Sequence, residues 1–337
     1  MPLFSVVIAT RNRPTLFRHA LASVLDQSCQ DIEIVVVNDG SASEHQPAYE
    51  SIIRAADPTR VRCLLLIPRP QGHGAGFARN SGAAEAIAPY LCFLDDDDTW
   101  TDPDHLNRAR VVITEAGEPV DLYMTNQAAF LQDKPQPGPI WIEDLPPILA
   151  SLGNRPDRHE AYTVTVEELL RSQGFCHLNT LIVRRALYAE IGGLDERNGW
   201  EYDRDLYLRL IDNAAVIKYA PVTTARHNVP DPTKAANMTT ALSEFERRLS
   251  QLRLLDRAIF FGRHTAIRAY GRRHKAYTLK RIAELLAATG RHAEAAFYAR
   301  EALGAGPTAK WAAYTAWRTL KQALARPSSS GRSDNDH

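Results

Sequence analysis

The chain has 337 residues but only four cysteines and three methionines, and its formal charges sum to zero. No stretch approaches the ~18 consecutive apolar residues that cross a bilayer, so a membrane-spanning helix is not expected. Cys29, Cys63, Cys92 and Cys176 are far apart and lack the spacing of a metal site or a disulfide framework. They read as reduced packing residues of a cytoplasmic protein. Met1-Pro2-Leu3-Phe4 leads directly into a strand-like segment without a basic stretch or cleavage site, so no signal peptide is expected. Gly72, Gly74 and Gly76 fall short of the dinucleotide-binding fingerprint. With 45% apolar and 24% charged residues, the composition excludes a disordered or fibrous chain.

The zero charge conceals an asymmetry. From Ala241 onward there are 18 Lys/Arg against 8 Asp/Glu, a balance of +10, so the first 240 residues carry 22 against 32, or −10. A basic C-terminal third suits contact with an anionic surface, with a solvated helical surface as the plain alternative. The pattern over 241–325 is helical and dominated by Ala, Leu and Arg. Gly290, Ala295, Ala299, Ala302 and Pro307 match the spacing of one tetratricopeptide helix. Such arrays need about three repeats to be stable, so a helical extension is the expected reading. The tail 327–337, rich in Ser, Gly and Asp, reads as disordered.

The N-terminal half alternates strand and helix signals. Phe4–Ala9, Ile32–Val37, Val61–Ile67 and Tyr90–Leu94 are apolar runs separated by helical stretches at about 15–27, 47–56 and 76–86. This alternation predicts an α/β fold with a mostly parallel, Rossmann-like sheet flanked by helices. Ligands of such sheets bind at the carboxyl ends of the strands. Thr10, Asp39 and the run Asp95-Asp96-Asp97-Asp98 all lie just past strand ends. Residues 135–158, rich in Pro and Gly, read as an irregular loop. Strand-like Leu181–Val183, a turn at Gly192-Gly193, a helix from about Tyr202 and a strand at Val216–Ala220 follow.

The aspartate run carries the most chemistry. Four adjacent carboxylates repel one another, and leaving them unpaired at the end of a buried strand would destabilise the fold. A hard divalent cation, Mn²⁺ or Mg²⁺, removes that cost and commonly bridges substrate phosphates. A solvated acidic turn is the plain alternative, weakened by the apolar Leu91-Cys92-Phe93-Leu94 immediately before the run.

Four segments in order resemble the signature of the family 2 glycosyltransferases: Ser5–Pro14, Val37-Asn38-Asp39-Gly40-Ser41, Ala78-Arg79-Asn80, and Leu94–Asp98 with Trp100. The resemblance covers about residues 4–230. It implies the GT-A fold over 1–235, with the helical extension at 241–325, and an inverting transfer from a nucleotide-sugar donor. Thr10, Arg13, Asp39, Arg79, Asp95 and Asp96 would then face the nucleotide. Asp97 would be the main metal ligand, with Asp98 one position away as the alternative. Trp200–Leu210 resembles the family's acceptor-side helix, with Tyr202 where the family has an acid. Asp203 is accordingly the expected base, with Glu201 and Asp205 as alternates; an inverting transfer needs one carboxylate to take the acceptor's proton. His227, after Arg226, would be a further metal ligand.

The resemblance further implies a nucleoside-diphosphate donor, with UDP the expected nucleotide. It also implies a glycan or lipid-linked acceptor in surface polysaccharide or glycolipid synthesis. With the basic C-terminal region, this suggests a cytoplasmic enzyme in peripheral contact with an anionic inner membrane face, with no nucleic-acid partner. A nucleotidyltransferase would need a Gly-rich loop where Thr10-Arg11-Asn12-Arg13-Pro14 stands. A non-catalytic glycan-binding protein would not need the aspartate run or Asp203.

Overall fold

The computed structural model describes residues 1–229 and 242–324. The expected disordered tail at 327–337 and the expected domain boundary near 235–241 fall outside them. The chain forms two compact units: Met1–Ala241 with Gly262–Ile267, and Leu242–Phe261 with Arg268–His337.

Among the described residues the first unit is built on one ten-stranded sheet. Its N-terminal half alternates β1 (Phe4–Thr10), α1 (Pro14–Leu25), β2 (Ile32–Asn38), α2 (Gln46–Ala55), β3 (Val61–Leu65), α3 (Ala75–Glu85) and β4 (Tyr90–Asp95). β1 pairs in parallel with β2 and with β4, and β2 with β3. The apolar runs suit this position: Val6, Val7, Ile8, Ile34, Val36, Leu91 and Phe93 are completely or almost completely buried. α3 lies close to the sheet because residue 82 is glycine; a Cβ there would come within 2.5 Å of Val7 Cγ1 and 2.9 Å of Val37 Cγ2.

The second half of the sheet comprises β5 (Thr99–Trp100), β6 (Leu122–Leu131), β7 (Lys134–Pro135), β8 (Tyr162–Thr163), β9 (Leu181–Arg184) and β10 (Ile217–Asn228). Its helices are α4 (His105–Thr114), α5 (Leu145–Ser151), α6 (Val166–Leu169), α7 (Arg185–Glu190) and α8 (Tyr202–Asn213). The strand order is β3-β2-β1-β4-β9-β6-β10-β5. β9 runs antiparallel to both β4 and β6, and β10 runs parallel to β6. The carboxyl ends of β4 and β10 and the amino end of β9 therefore meet at one edge of the sheet. Residues 135–158 are not all irregular, because α5 interrupts them; its prolines lie in the first turn, where a missing N–H costs nothing.

The second unit contains α9 (Glu244–Phe261), most of α10 (Thr265–Ala288), α11 (His292–Ala305) and α12 (Ala309–Leu324). Leu279, Ala283, Ala299, Ala302 and Trp311 form one core cluster, and Ile282, Leu286 and Ala295 another. The Trp311 indole N–H donates to Ala299 O at 2.9 Å. Gly290 takes φ +75°, the left-handed turn between α10 and α11 that glycine adopts without strain.

In the first unit His105 is wholly buried against the Trp100 ring, and neither of its ring nitrogens has a hydrogen-bond partner. Burial pushes its pKa down to about 4. The folded state thus keeps His105 neutral, while the unfolded chain takes up a proton near pH 6.5. Stability from this residue is complete above pH 6.5 and is lost as the pH falls towards 4. His105→Leu should therefore shrink the stability difference between pH 7.5 and pH 5 by about 2 kcal/mol, read from urea unfolding. An unchanged difference would show that His105 is not held neutral.

Candidate functional site

The edge where β1, β2, β4 and β10 end gathers the candidate side chains of the first unit. At the end of β1, Thr10 Oγ1 donates to Asp96 Oδ2 at 2.7 Å and lies 2.8 Å from Tyr49 Oη. The chain then passes through Asn12 in a left-handed conformation, φ +57°. Asn12 is held there by its own N–H on Ser41 Oγ and by its Oδ1, which accepts from Ala42 N. This bend aims Arg13 at the aspartates: its guanidinium pairs with Asp96 and, at 2.9 Å, with Asp97 Oδ2.

Asp39, buried at the end of β2, accepts from His73 N (2.8 Å), Gly74 N (3.1 Å) and His73 Nδ1 (2.7 Å). The segment Gly72–Gly74 is thus tied down onto this carboxylate. Arg79, on α3, is also buried; it pairs with Asp95, donates to Tyr202 Oη at 3.2 Å and faces the Tyr202 ring. Arg79 is not the surface arginine that its place on a helix suggests.

The four aspartates occupy different environments. Asp96 and Asp98 are almost fully buried, whereas Asp97 retains about a third of its side-chain exposure. Asp98 accepts from Asn179 Nδ2 (2.6 Å), from Asn228 N (2.7 Å) and from His227 Nδ1 (2.6 Å). The pairing of Thr99–Trp100 with Ala225–Arg226 makes this contact, because the next residues outward are Asp98 and His227. Among the described residues the Asp97 carboxylate, by contrast, has only the half-exposed Arg13 guanidinium as a hydrogen-bond partner.

Burial raises the pKa of Asp96, Asp97 and Asp98, with Arg13 opposing the rise at the first two and His227 at the third. At Asp95 burial also acts upward, but Arg79, His177 and His227 outweigh it and hold the carboxyl well below its usual range. For His227 burial acts downward, yet Asp98 and its neighbours win and raise the pKa to about 9. Two groups of side chains have ligand atoms within 4.8 Å of one another: Asp95 with Asp97 and Asp98, and Asp95 with His177 and His227. Carboxylate oxygens with one or two imidazoles form a donor set that suits Mn²⁺, and the all-oxygen group suits Mg²⁺.

On the far side of this cluster Glu201 takes the left-handed conformation, φ +54°, and α8 begins at Tyr202. Asp203 Oδ1 accepts from Arg204 N at 2.8 Å, and burial raises the Asp203 pKa. Of the alternates, Glu201 pairs with Arg204, while buried Asp205 pairs with Arg209 within the helix. Arg226 turns to Asp133 and Asn228.

Two residues absent from the sequence-based expectations complete the cluster. His177 accepts from Asn179 N at its Nδ1 (3.3 Å) and places Nε2 3.8 Å from Asp203 Oδ2. Its ring lies against His227, with centroids 4.9 Å apart. Asn179 holds Asp98 through Nδ2 and accepts from Asp95 N through Oδ1 at 3.0 Å. Both arrive because β9 is antiparallel, so the residues before it reach the carboxyl edge of β4; Cys176-His177-Leu178-Asn179 has no charge or spacing pattern that reveals this.

Residues 5–136 match the family described as Glycosyl transferase family 2. The putative glycosyltransferase EpsH of Bacillus subtilis is 31% identical over 132 residues, 39% of this chain and 36% of its own. The succinoglycan biosynthesis protein ExoW of Rhizobium meliloti is 38% identical over 101 residues, 29% of this chain and 30% of its own. The chain thus spans about a third of the length of these two relatives. Among solved structures, Staphylococcus aureus TarS 1–349 in complex with UDP-GlcNAc aligns with TM-score 0.61 at 19% identity, covering 83% of this chain and 72% of that one. The mannosyltransferase PcManGT of Pyrobaculum calidifontis, in complex with GDP-Man and Mn²⁺, aligns with TM-score 0.56 at 16% identity, covering 96% and 86%. At these identities the likeness is one of fold, and the fold is GT-A.

The cluster's dependence on Asn179 is testable. Asn179→Ala removes a donor from buried Asp98 and the acceptor of Asp95 N, so stability should fall by roughly 1–3 kcal/mol in urea unfolding. A variant as stable as the parent chain would show that Asn179 does not hold the aspartates in place.

Proposed function

We propose that this chain, whose residues 5–136 match the family 2 glycosyltransferases, moves a sugar, with inversion, from a nucleoside-diphosphate donor to an acceptor hydroxyl. The observation that carries this reading is the aspartate run, gathered with His227 and Asp203 at one edge of a mixed sheet, where β4 ends. The proposed donor is a UDP-sugar, and the proposed acceptor a glycan or lipid-linked hydroxyl of surface polysaccharide or glycolipid synthesis. UDP-GlcNAc in TarS and succinoglycan synthesis for ExoW support these choices.

In this reading Thr10, Arg13 and Asp39 receive the nucleoside and Arg79 with Asp95 and Asp96 line its ribose and diphosphate. Arg79, charged at any working pH, suits the diphosphate. Asp97 and His227 would hold Mn²⁺ or Mg²⁺. That cation would neutralise charge on the departing nucleoside diphosphate. Asp97 suits the ligand role better than Asp98, because its carboxylate is committed only to a half-exposed arginine whereas Asp98 already has three donors. Asp98 has a different task. By accepting from His227 Nδ1 it orients the ring and makes Nε2 a better ligand, as carboxylate–histidine pairs do at metal sites.

Asp203 is the proposed base. It opens α8, only about a fifth of its side chain is exposed, and its raised pKa makes it a stronger proton acceptor. It takes the acceptor hydroxyl's proton as the oxygen attacks the anomeric carbon opposite the leaving diphosphate. His177, whose Nδ1 accepts a backbone N–H, directs its Nε2–H side towards Asp203.

A panel of UDP- and GDP-sugars, assayed for nucleoside diphosphate release with and without Mn²⁺, tests the proposal. One donor class should be consumed only with metal. Asp97→Ala should abolish turnover, and Asp203→Asn should lower transfer to acceptor by about 10²–10⁴-fold while donor binding persists. Nucleoside diphosphate release by Asp97→Ala at the parent rate would refute the metal role, and unimpaired transfer by Asp203→Asn would refute the base.

A further inference from the structure

The helical unit carries a feature that sugar transfer does not use. α9 ends in Phe260 and Phe261, whose side chains are 73% and 80% exposed. Two adjacent bare aromatic rings at a helix end lose the benefit of burial that their area would provide. From Arg257 to Ala283 the chain holds eight Lys/Arg and no Asp or Glu. Within α10 Tyr277 is also exposed, at 64%, as are Arg272, Arg273 and Arg281.

α9 and α10 pack as a hairpin. Lys275 Nζ donates to Asp256 Oδ1 at 2.5 Å, and a Cβ on Gly271 would meet Ile259 Cγ1 at 2.9 Å and Leu255 O at 3.0 Å. This register puts Phe260 and Phe261, the last residues of α9, towards the end of the hairpin from which Arg272 and Arg273 also project in the facing helix. Neither of these arginines has a carboxylate partner among the described residues, whereas Arg281, farther from the turn, pairs with Glu244.

We propose that this end of the hairpin docks on an anionic lipid bilayer, with Phe260 and Phe261 entering the boundary between headgroups and acyl chains and Arg272 and Arg273 on the lipid phosphates. Exposed apolar side chains on a hairpin that also carries exposed guanidinium groups form a pattern that binds in the plane of a charged interface. A nucleic-acid surface would use the arginines but give the paired phenylalanines nothing to insert into. A second copy of the chain would bring the same positive charge to the contact and repel it. None of the described helices is long and apolar enough to cross a membrane, so this attachment is superficial.

The full chain is sedimented with vesicles of phosphatidylcholine alone and of phosphatidylcholine mixed with phosphatidylglycerol, at low and high salt. Binding should require phosphatidylglycerol and weaken steeply with salt. Phe260→Ser with Phe261→Ser should reduce partitioning by about tenfold or more, with circular dichroism and nucleoside diphosphate release unchanged. Arg272→Glu with Arg273→Glu should remove most of the salt-sensitive part. Equal or absent binding to the two vesicle types, or a phenylalanine double variant that binds as the parent does, would overturn the proposal. So would a parent dimer in sedimentation velocity that the same double variant dissociates, which would assign the surface to a second copy.

Discussion

Four consecutive carboxylates at the end of a buried strand constrain this molecule more than any other feature. Like charges a few ångströms apart in a poorly solvated edge raise one another's pKa values, and the fold must supply positive charge or donors to keep them ionised. Asp95, Asp96 and Asp98 are answered from different parts of the chain. Arg79 on α3 answers Asp95, Arg13 and Thr10 answer Asp96, and Asn179, Asn228 and His227 answer Asp98. Among the described residues Asp97 has only Arg13, a half-exposed side chain that it shares with Asp96. The uneven commitment of these four groups separates carboxylates that build the site from the one that remains available to a cation.

The same constraint accounts for the local strain around the edge. Asn12 and Glu201, both left-handed, stand immediately before the segments that bring Arg13 and Asp203 to the cluster. A non-glycine residue in that region costs of order 1 kcal/mol and persists only where its surroundings hold it. A hydrogen bond donated to Ser41 Oγ and one accepted from Ala42 N hold Asn12. The sheet provides the rigid frame: strands of both directions deliver their ends to one edge, so residues far apart in sequence meet without any single loop having to be long.

Much of this is legible in the order of the amino acids. Parallel strands buried on both faces write themselves as continuous apolar runs, so β1 to β4 and the helices between them are readable within a few residues. Thr10, Asp39 and the aspartates stand out because strand ends are easy to locate in such runs. β6 escapes this reading: Leu122–Leu131 includes Thr125, Asn126 and Gln127, and their burial depends on partners that only the assembled sheet provides. His177 and Asn179 stay hidden for the same reason, since their roles come from the antiparallel insertion of β9. The basic bias of the C-terminal third is plain from counting, but the location of its exposed rings depends on the pairing of α9 with α10, which periodicity alone does not set.

The most direct test of the account is to count manganese. Electron paramagnetic resonance of free Mn²⁺, titrated with the chain and with UDP or GDP, reports how many ions bind and how tightly. The account predicts one Mn²⁺ per chain, bound more tightly with the nucleotide present and lost when Asp97 is replaced by Asn. If the chain leaves free Mn²⁺ undiminished with either nucleotide, or binds it equally well without the Asp97 carboxylate, the aspartates serve some other purpose.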